Sequence, residues 1–123
     1  MKVSKHVIEL AKVQARKSVL RHRHGAVLLD SKGKVINTGY NHSVFSSEIP
    51  NRRSHCIHAE QAALTGLRGQ RVRGCSIVVV RVNAKDELLL SRPCKRCWNL
   101  LTRKGVQCVV YSTSAADITF ERL

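Results

Sequence analysis

The sequence predicts a three-layer α/β/α domain with a mixed central sheet. Helical and strand-like patterns alternate along the chain, which favours helices on both faces of one sheet. One run, CSIVVVRV, is apolar at nearly every position, which is typical of a central strand buried on both faces. The length of 123 residues suits one core, because single domains usually hold about 100 to 150 residues. We therefore predict a single domain over residues 1–123.

The first half of the chain predicts a helix, a hairpin and a second helix. From Ser4 to Leu20, apolar residues recur every three or four positions opposite Lys and Arg, which is the pattern of an amphipathic helix. AVLLD and KVINTGY are separated by a turn that contains Gly33, so they predict a β-hairpin. Residues 41–54 show no sustained period and predict a loop. HAEQAALTGL, rich in Ala and Leu, predicts the second helix.

The second half predicts two strands around a third helix. CSIVVVRV and VQCVVYS are the strands, and we expect Cys75 and Cys108 within them to be buried, because free cysteine behaves as a small apolar side chain. Between them, Pro93 stands where a helix usually has its first residue, and CKRCWNLLTRKG continues to a glycine stop. The tail, STSAADITFERL, is interpreted as one more short helix or strand.

The charge balance favours an anionic partner. The chain has 22 Lys and Arg against 8 Asp and Glu, a formal net charge of +14. Such an excess usually serves phosphate, either of a nucleotide or of a polynucleotide backbone, although it can also serve solubility alone. Five arginines lie nearest in sequence to the candidate site described below and are candidates for phosphate contacts: Arg21, Arg23, Arg52, Arg53 and Arg92.

Membrane and secreted classes are not favoured. No apolar run approaches the roughly 20 residues that cross a bilayer. The first residues, MKVSKHVIELAK, lack both the unbroken apolar region and the cleavage site of a secretory signal. We therefore expect a soluble, intracellular protein of cytoplasmic location.

The cysteines indicate metal binding rather than disulfides. Five cysteines are an odd number in a chain without an export signal. Cys94 and Cys97 are spaced CxxC at a predicted helix start, so both thiolates can face one ion, and His58 at another helix start would complete three zinc ligands. Catalytic zinc keeps its fourth position for water, and Glu60 can serve as the acid and base.

A closed structural zinc site is the alternative. Cys56, two residues before His58, could supply a fourth protein ligand, which would leave no position for water. In addition, residues two apart point in different directions on an ideal helix, so spacing alone does not bring Glu60 to the ion bound by His58. The closed site, however, gives no role to Glu60.

Together, HAE and PCKRC resemble the paired signature of the zinc-dependent cytidine/deoxycytidylate deaminase superfamily. The GAVLLD and KVINTGYN hairpin resembles the first two strands of the same cytidine-deaminase-like fold. The resemblance implies zinc ligation by His58, Cys94 and Cys97, and a proton-shuttling role for Glu60. It also implies that four further residues contact or line the substrate pocket: Asn41, Ala59, His24 and Ser91.

The function implied by the resemblance is a zinc-dependent hydrolytic nucleobase deaminase, converting cytosine to uracil on a nucleotide or in single-stranded nucleic acid. A transfer-RNA adenosine deaminase and a non-catalytic nucleic-acid-binding zinc module remain the alternatives. The stretch VNAKDELLLSR before PCKRC resembles free-cytidine and polynucleotide cytidine deaminases, whereas a histidine at position 58 does not resemble the free-cytidine enzymes. The resemblance further implies a homodimer or a higher homo-oligomer.

Overall fold

The architecture is described from a computed structural model that covers residues 3–44, 55–67 and 69–123. The helices are α1 (Lys5–Lys17), α2 (Ala59–Leu64), α3 (Gly69–Val72) and α4 (Lys95–Lys104). The strands are β1 (Arg23–Leu29), β2 (Val35–Tyr40), β3 (His42–Val44), β4 (His55–Ile57), β5 (Ser76–Val82), β6 (Leu88–Leu89), β7 (Cys108–Ser112) and β8 (Ile118–Arg122). None of the helices in these ranges has the length and hydropathy needed to cross a membrane.

The central sheet is mixed, as predicted. Its strand order is β2-β1-β5-β7-β8, and the short β6 pairs with the end of β5. Strands β5 and β7 are parallel, whereas β1 runs antiparallel to both β2 and β5, and β8 runs antiparallel to β7. The parallel pair is joined through α4, as expected for a crossover connection that contains a helix. Strands β3 and β4 form a separate two-stranded sheet.

Helices cover both faces of the sheet because β5 is apolar on both sides. Ile77 and Val79 belong to a buried cluster that includes residues of α2 and α4. Val78 and Val80 belong to a second cluster, on the opposite face, with Val7, Ala11 and Ala15 of α1. The alternation follows from the two-residue period of a strand. It confirms the prediction that CSIVVVRV is buried on both faces.

The two cysteines predicted to lie in the core do so. Cys75 is 2% exposed and packs on the α2 and α4 side, whereas Cys108 is 6% exposed and packs on the α1 side. Burial raises the pKa of both thiols, so neither is a ready thiolate. Both behave as small apolar side chains.

Three local predictions are corrected by the structure. Helix α1 ends at Lys17 rather than Leu20, because Ser18 takes an extended conformation and its N–H bonds Ala15 O. Part of the predicted 41–54 loop is strand β3, which pairs with β4; residues 45–54 lie outside the described ranges. Cys94, not Pro93, borders α4, since Cys94 is the extended N-cap residue and the helix begins at Lys95. The predicted glycine stop is confirmed, with Gly105 at φ 86°.

Gly39 lies where β2 passes directly beneath α2. A Cβ atom at this position would lie 2.5 Å from Ala63 N and 2.8 Å from Ala59 O. Both are backbone atoms, so they cannot move away by a change of side-chain rotamer. Gly39→Ala is therefore expected to displace α2 and to lower the free energy of unfolding by about 1–3 kcal/mol in chemical denaturation. The exposed Lys32→Ala in the same hairpin is the control and should change it by less than about 0.5 kcal/mol. Equal stabilities for the two variants would contradict this packing.

Candidate metal and substrate site

His58 is held at the start of α2. It is the N-cap residue, with an extended backbone at φ −75° and ψ 156°. Its N–H donates to Gln61 Oε1 at 3.0 Å, and its carbonyl oxygen accepts from Ala62 N at 3.0 Å. These bonds fix the backbone on both sides of the imidazole. Because His58 is outside the helix, the direction of its side chain relative to that of Glu60 is not set by the helical period.

The two cysteines of PCKRC are held at the start of α4. Cys94 is the N-cap residue, and its carbonyl oxygen accepts the N–H of Trp98 at 2.8 Å. Cys97 follows in the first turn. Cys94 is exposed and Cys97 is fully buried. One thiol therefore faces the outside of the site and the other faces the protein core.

The side chains of His58, Cys94 and Cys97 converge. His58 Nδ1 lies 3.2 Å from Cys97 Sγ and 3.7 Å from Cys94 Sγ, and the three atoms all lie within 4.8 Å of one another. Zinc bonds of about 2.0 Å to nitrogen and 2.3 Å to sulfur at tetrahedral angles imply N–S separations of roughly 3.5 Å. The donor set and its spacing therefore fit a zinc ion. Cys56 is not a member of this cluster, so the closed four-ligand alternative is not supported.

Glu60 is buried beside these groups. It is 4% exposed and lies in the first turn of α2. Burial raises the pKa of Glu60. The pKa of the Cys97 thiol is also raised, first by burial and then by the charge of Glu60 and by Cys94. A buried thiol of this kind needs a neighbouring cation to become a thiolate, which a metal ligand must be.

A cavity of about 510 Å³ opens next to the cluster. His58, Cys94 and Glu60 contribute to its wall. The four residues predicted to contact substrate also line it, namely His24, Asn41, Ala59 and Ser91. The structure thus brings two of the three predicted metal ligands and the four predicted substrate residues to one cavity, whereas Cys97 does not line it. Its volume falls in the range of about 300–1,000 Å³ that is typical of small-molecule sites.

The Asn41 side chain forms hydrogen bonds with backbone atoms of His22 and His24. Its Oδ1 accepts the N–H of His24 at 2.8 Å, and its Nδ2 donates to the carbonyl oxygen of His22. Asn41 is 8% exposed. These two bonds hold the start of β1 against the cavity, a positioning role in addition to the substrate contact predicted from the sequence.

Ser91 is hydrogen-bonded to Ser112. The sequence did not indicate a role for Ser112. Ser91 Oγ donates to Val79 O at 2.7 Å and accepts the N–H of Ser112 at 2.8 Å, and the two hydroxyl oxygens are 2.7 Å apart. Both residues are at most 2% exposed. Through these hydrogen bonds, the segment before Cys94 is held against Val79 of β5 and Ser112 of β7. A serine that ends an otherwise apolar strand is too common to have indicated this.

The predicted phosphate-binding arginines divide into three groups. Arg21 and Arg92 line the cavity, and Arg23 does not. Arg52 and Arg53 lie outside the described residues. Arg92 is already engaged, because its Nε donates to Glu121 Oε2 at 2.6 Å and its guanidinium lies 4.4 Å above the Trp98 ring. Its charge is therefore compensated within the protein.

His24 makes stability depend on pH. Burial lowers its pKa from the ordinary 6.5 to about 4, and the positive charge of Arg81 acts in the same direction. Between these two pH values the unfolded chain binds a proton at His24 that the folded chain does not bind. The contribution of neutral His24 to the free energy of unfolding is therefore complete above pH 6.5 and is lost as the pH falls toward about 4. His24→Gln should flatten the fall of unfolding free energy across that window in denaturation experiments. An equally steep fall in both proteins would contradict the lowered pKa.

The fold and the cluster define an α/β protein with a zinc-type His-Cys-Cys site. Residues 1–113 match the family described as the cytidine and deoxycytidylate deaminase zinc-binding region. Because the match covers most of the chain, the protein belongs to that family, as the paired HAE and PCKRC motifs indicated. A comparison with curated proteins gives no match.

Solved structures share the architecture. The apo dCMP deaminase from the cyanophage S-TIM5 is 19% identical with a TM-score of 0.63, over 89% of this chain and 81% of that one. A mutant cytidine deaminase from Mycobacterium tuberculosis is 22% identical with a TM-score of 0.56, over 90% of this chain and 86% of that one. At these identities the likeness concerns the fold. It confirms the predicted cytidine-deaminase-like architecture.

Proposed function

We propose that the protein is a zinc-dependent hydrolase that converts cytosine to uracil and releases ammonia, on a nucleotide or in single-stranded nucleic acid. One observation carries the proposal: the cluster of His58, Cys94 and Cys97 lies at a cavity whose wall also contains the buried Glu60. Family membership supports deaminase chemistry, and the solved structures with this fold are named for dCMP and cytidine.

His58, Cys94 and Cys97 would hold the ion. Zinc bound there supplies an acidified water as a nucleophile near neutral pH. The two cysteines come from the start of α4 and the histidine from the start of α2. The site therefore depends on how these two helices pack, which the buried Leu101 of α4 and Ala63 of α2 secure within one apolar cluster.

Glu60 would move the protons. Its carboxylate accepts a proton from the water whose oxygen bonds to C4, and delivers it to the adjacent ring nitrogen. The remaining proton of that oxygen passes through Glu60 to the exocyclic amine, the C4–N4 bond breaks, and ammonia leaves. Water and cytosine thus give uracil and ammonia with all atoms accounted for. Burial excludes bulk water from competing for the carboxylate.

The cavity wall would orient the base. His24, Asn41, Ala59 and Ser91 surround the space beside Glu60. The bonds of Asn41 to the backbone of β1 and of Ser91 to Ser112 keep these walls rigid. Fixed walls favour reaction because they hold C4 and the attacking water in one geometry.

Ammonia release tests the proposed function. Zinc-loaded protein is incubated with cytidine, deoxycytidylate, single-stranded oligonucleotides and transfer RNA, and the zinc-free protein serves as the control. We expect ammonia and a uracil product from at least one cytosine-containing substrate, and none without zinc. Zinc binding without ammonia from any substrate would contradict the proposal and favour a nucleic-acid-binding zinc module.

A further inference from the structure

Exposed basic side chains converge at the end of the sheet opposite the cavity. His24, which lines the cavity, pairs with Arg81 near the end of β5. Leu29, the last residue of β1, pairs instead with Ser76, the first residue of β5. The turn after β1 and the segments that precede β5 and β7 therefore lie at the other end of the sheet. Six exposed basic residues on these segments form what we call the distal basic face: Lys32, Lys34, Arg71, Arg73, Arg103 and Lys104.

The segments that carry these residues are neighbours in space. A Cβ atom on Gly105, which follows α4, would lie 3.2–3.3 Å from atoms of Arg73, which follows α3. The end of α3 is also joined to the residue before β5, because Cys75 Sγ donates to Arg71 O at 3.1 Å. The charge of Asp30, in the turn after β1, adds to the effect of burial in raising the pKa of the same Cys75. The turn after β1, the end of α3 and the end of α4 thus meet at one end of the domain.

The positive charge of the distal basic face is uncompensated among the described residues. Within the described ranges, ion pairs are formed by basic side chains of other segments, namely Lys12, Arg16 and Arg92. Asp30 is the one acidic residue in the three segments, and its Oδ1 accepts two backbone N–H groups of its own turn. Like charges on neighbouring segments repel one another, and a bound polyanion relieves that repulsion.

The stability of α4 accounts for only part of this charge. Arg103 and Lys104 lie in the last turn of α4, where cations interact favourably with the free carbonyl groups of a helix. That interaction gives no role to Lys32 and Lys34 in the turn, or to Arg73 beyond the end of α3. A requirement for solubility concerns the net charge of a protein and not its placement. The convergence of the three segments therefore indicates a binding surface.

We propose that the distal basic face binds the phosphate backbone of a nucleic acid. The inference goes beyond the proposed function, because this surface is separate from the cavity: at about 3.3 Å per residue, the seven residues of β5 place it roughly 20 Å away. Arginine presents a planar pair of donors that matches phosphate oxygens. The three segments contain no aromatic residue on which a base could stack, so the surface recognises backbone charge rather than the bases.

An anionic membrane also presents phosphate, and it is the competing partner. Membrane surfaces usually retain proteins through apolar side chains that enter the lipid, in addition to basic ones. None of the three segments contributes to the exposed large apolar residues of the described chain, which are Val13, Val19, Leu90, Ile118 and Phe120. The distal basic face is therefore charged without an apolar component, which favours a nucleic acid.

Binding of labelled oligothymidylate to the zinc-loaded protein tests the surface. Thymine has no exocyclic amine, so this probe cannot be deaminated, and a length of about 20 nucleotides exceeds the roughly 4–16 nucleotides of common single-strand sites. Fluorescence anisotropy at several salt concentrations should give an affinity that falls steeply with salt. The slope of log affinity against log salt is about −0.7 per phosphate neutralised on a single strand, so about four to six contacts give roughly −3 to −4.

Arg73→Gln combined with Lys104→Gln removes two charges from adjoining segments of the face. This double variant should bind oligothymidylate at least about tenfold more weakly, as expected for lost hydrogen bonds to a charged group, and the slope should become shallower by about 1.4. Lys17→Gln combined with Lys85→Gln is the matched control, because it removes the same charge from exposed positions outside the face. The control should change the affinity by less than about twofold, since distant surface charges are screened by salt. Arg73→Lys combined with Lys104→Arg retains the charges and should retain most of the binding.

The proposal would be overturned by an absence of oligothymidylate binding at low salt, by unchanged binding in the double variant, or by equal weakening in the double variant and its control. Vesicles that contain phosphatidylserine provide the comparison with a membrane. If the double variant loses vesicle binding and keeps oligothymidylate binding, the face belongs to a lipid surface and the proposal is wrong. Because oligothymidylate cannot be deaminated, its binding is measured independently of ammonia release, and this proposal and the proposed function can fail separately.

Discussion

Glu60→Gln is expected to reduce ammonia release by at least about 10²- to 10⁴-fold, the usual contribution of a general acid and base. Glutamine preserves the size of the buried side chain but cannot accept a proton from water. The zinc content should remain at one ion per chain, because the ligand atoms belong to other residues. Initial rates and metal analysis on the same sample measure both quantities.

Glu87→Gln is the matched control for this change. Glu87 is exposed in the turn between β5 and β6, where its Oε1 accepts from Asn83 Nδ2 and its N–H donates to Asn83 Oδ1. Its side chain is remote from the cluster, so the substitution should leave the rate within about twofold. Undiminished ammonia release by Glu60→Gln would contradict its role as proton shuttle. A variant that loses zinc as well as activity would indicate that Glu60 supports the metal site instead.

Cys97→Ala is expected to abolish both zinc binding and ammonia release. Removing a residue that only orients a metal ligand already weakens binding by about 10- to 100-fold, so removing a ligand should cost at least as much. Alanine fits the space without burying a new polar group, and Cys97 is fully buried. Metal analysis after dialysis against a chelator, alongside the ammonia assay, measures the loss.

Cys56→Ser serves as the control for the cysteine. Cys56 lines the same cavity, yet it is outside the cluster formed by His58, Cys94 and Cys97. Its substitution should leave one zinc per chain under the same dialysis. Loss of zinc from Cys56→Ser would show that a fourth protein ligand closes the site, and retention of zinc by Cys97→Ala would contradict the ligand set.

The sequence predicted the central sheet well because the informative patterns are local. Apolar residues on both faces of CSIVVVRV require cover on both sides, and the structure provides it with α1 on one face and α2 and α4 on the other. The pairing of β3 with β4 was not predictable in this way. Each strand has three residues, and their partnership joins His42–Val44 to His55–Ile57 across a segment without periodicity.

The cluster of His58, Cys94 and Cys97 was predictable because its residues lie at two helix starts. The sequence left one difficulty, since residues two apart diverge on a helix. The structure explains how His58 and Glu60 reach one site: His58 is the extended N-cap residue, with ψ at 156°, so only Glu60 follows the helical period. Capping geometry of this kind depends on the Gln61 side chain and cannot be inferred from spacing alone.

Tertiary packing determined the features that sequence reasoning missed. The contact of Ser91 with Ser112 joins the segment before α4 to the last residue of β7, and no local pattern links them. Arg81 did leave a signal, because it is the one charged residue in an otherwise apolar strand run. A charge at that position requires a polar partner on one face, which here is Nδ1 of His22, 2.6 Å from Arg81 Nη2.

X-ray absorption spectroscopy at the zinc edge tests most directly whether two thiols and one imidazole hold an ion beside Glu60. The zinc-loaded protein is expected to show two sulfur neighbours at roughly 2.3 Å and two lighter neighbours, one imidazole nitrogen and one water oxygen, at roughly 2.0–2.1 Å. Three sulfur neighbours, or no stoichiometric zinc at all, would contradict an open His58, Cys94 and Cys97 site.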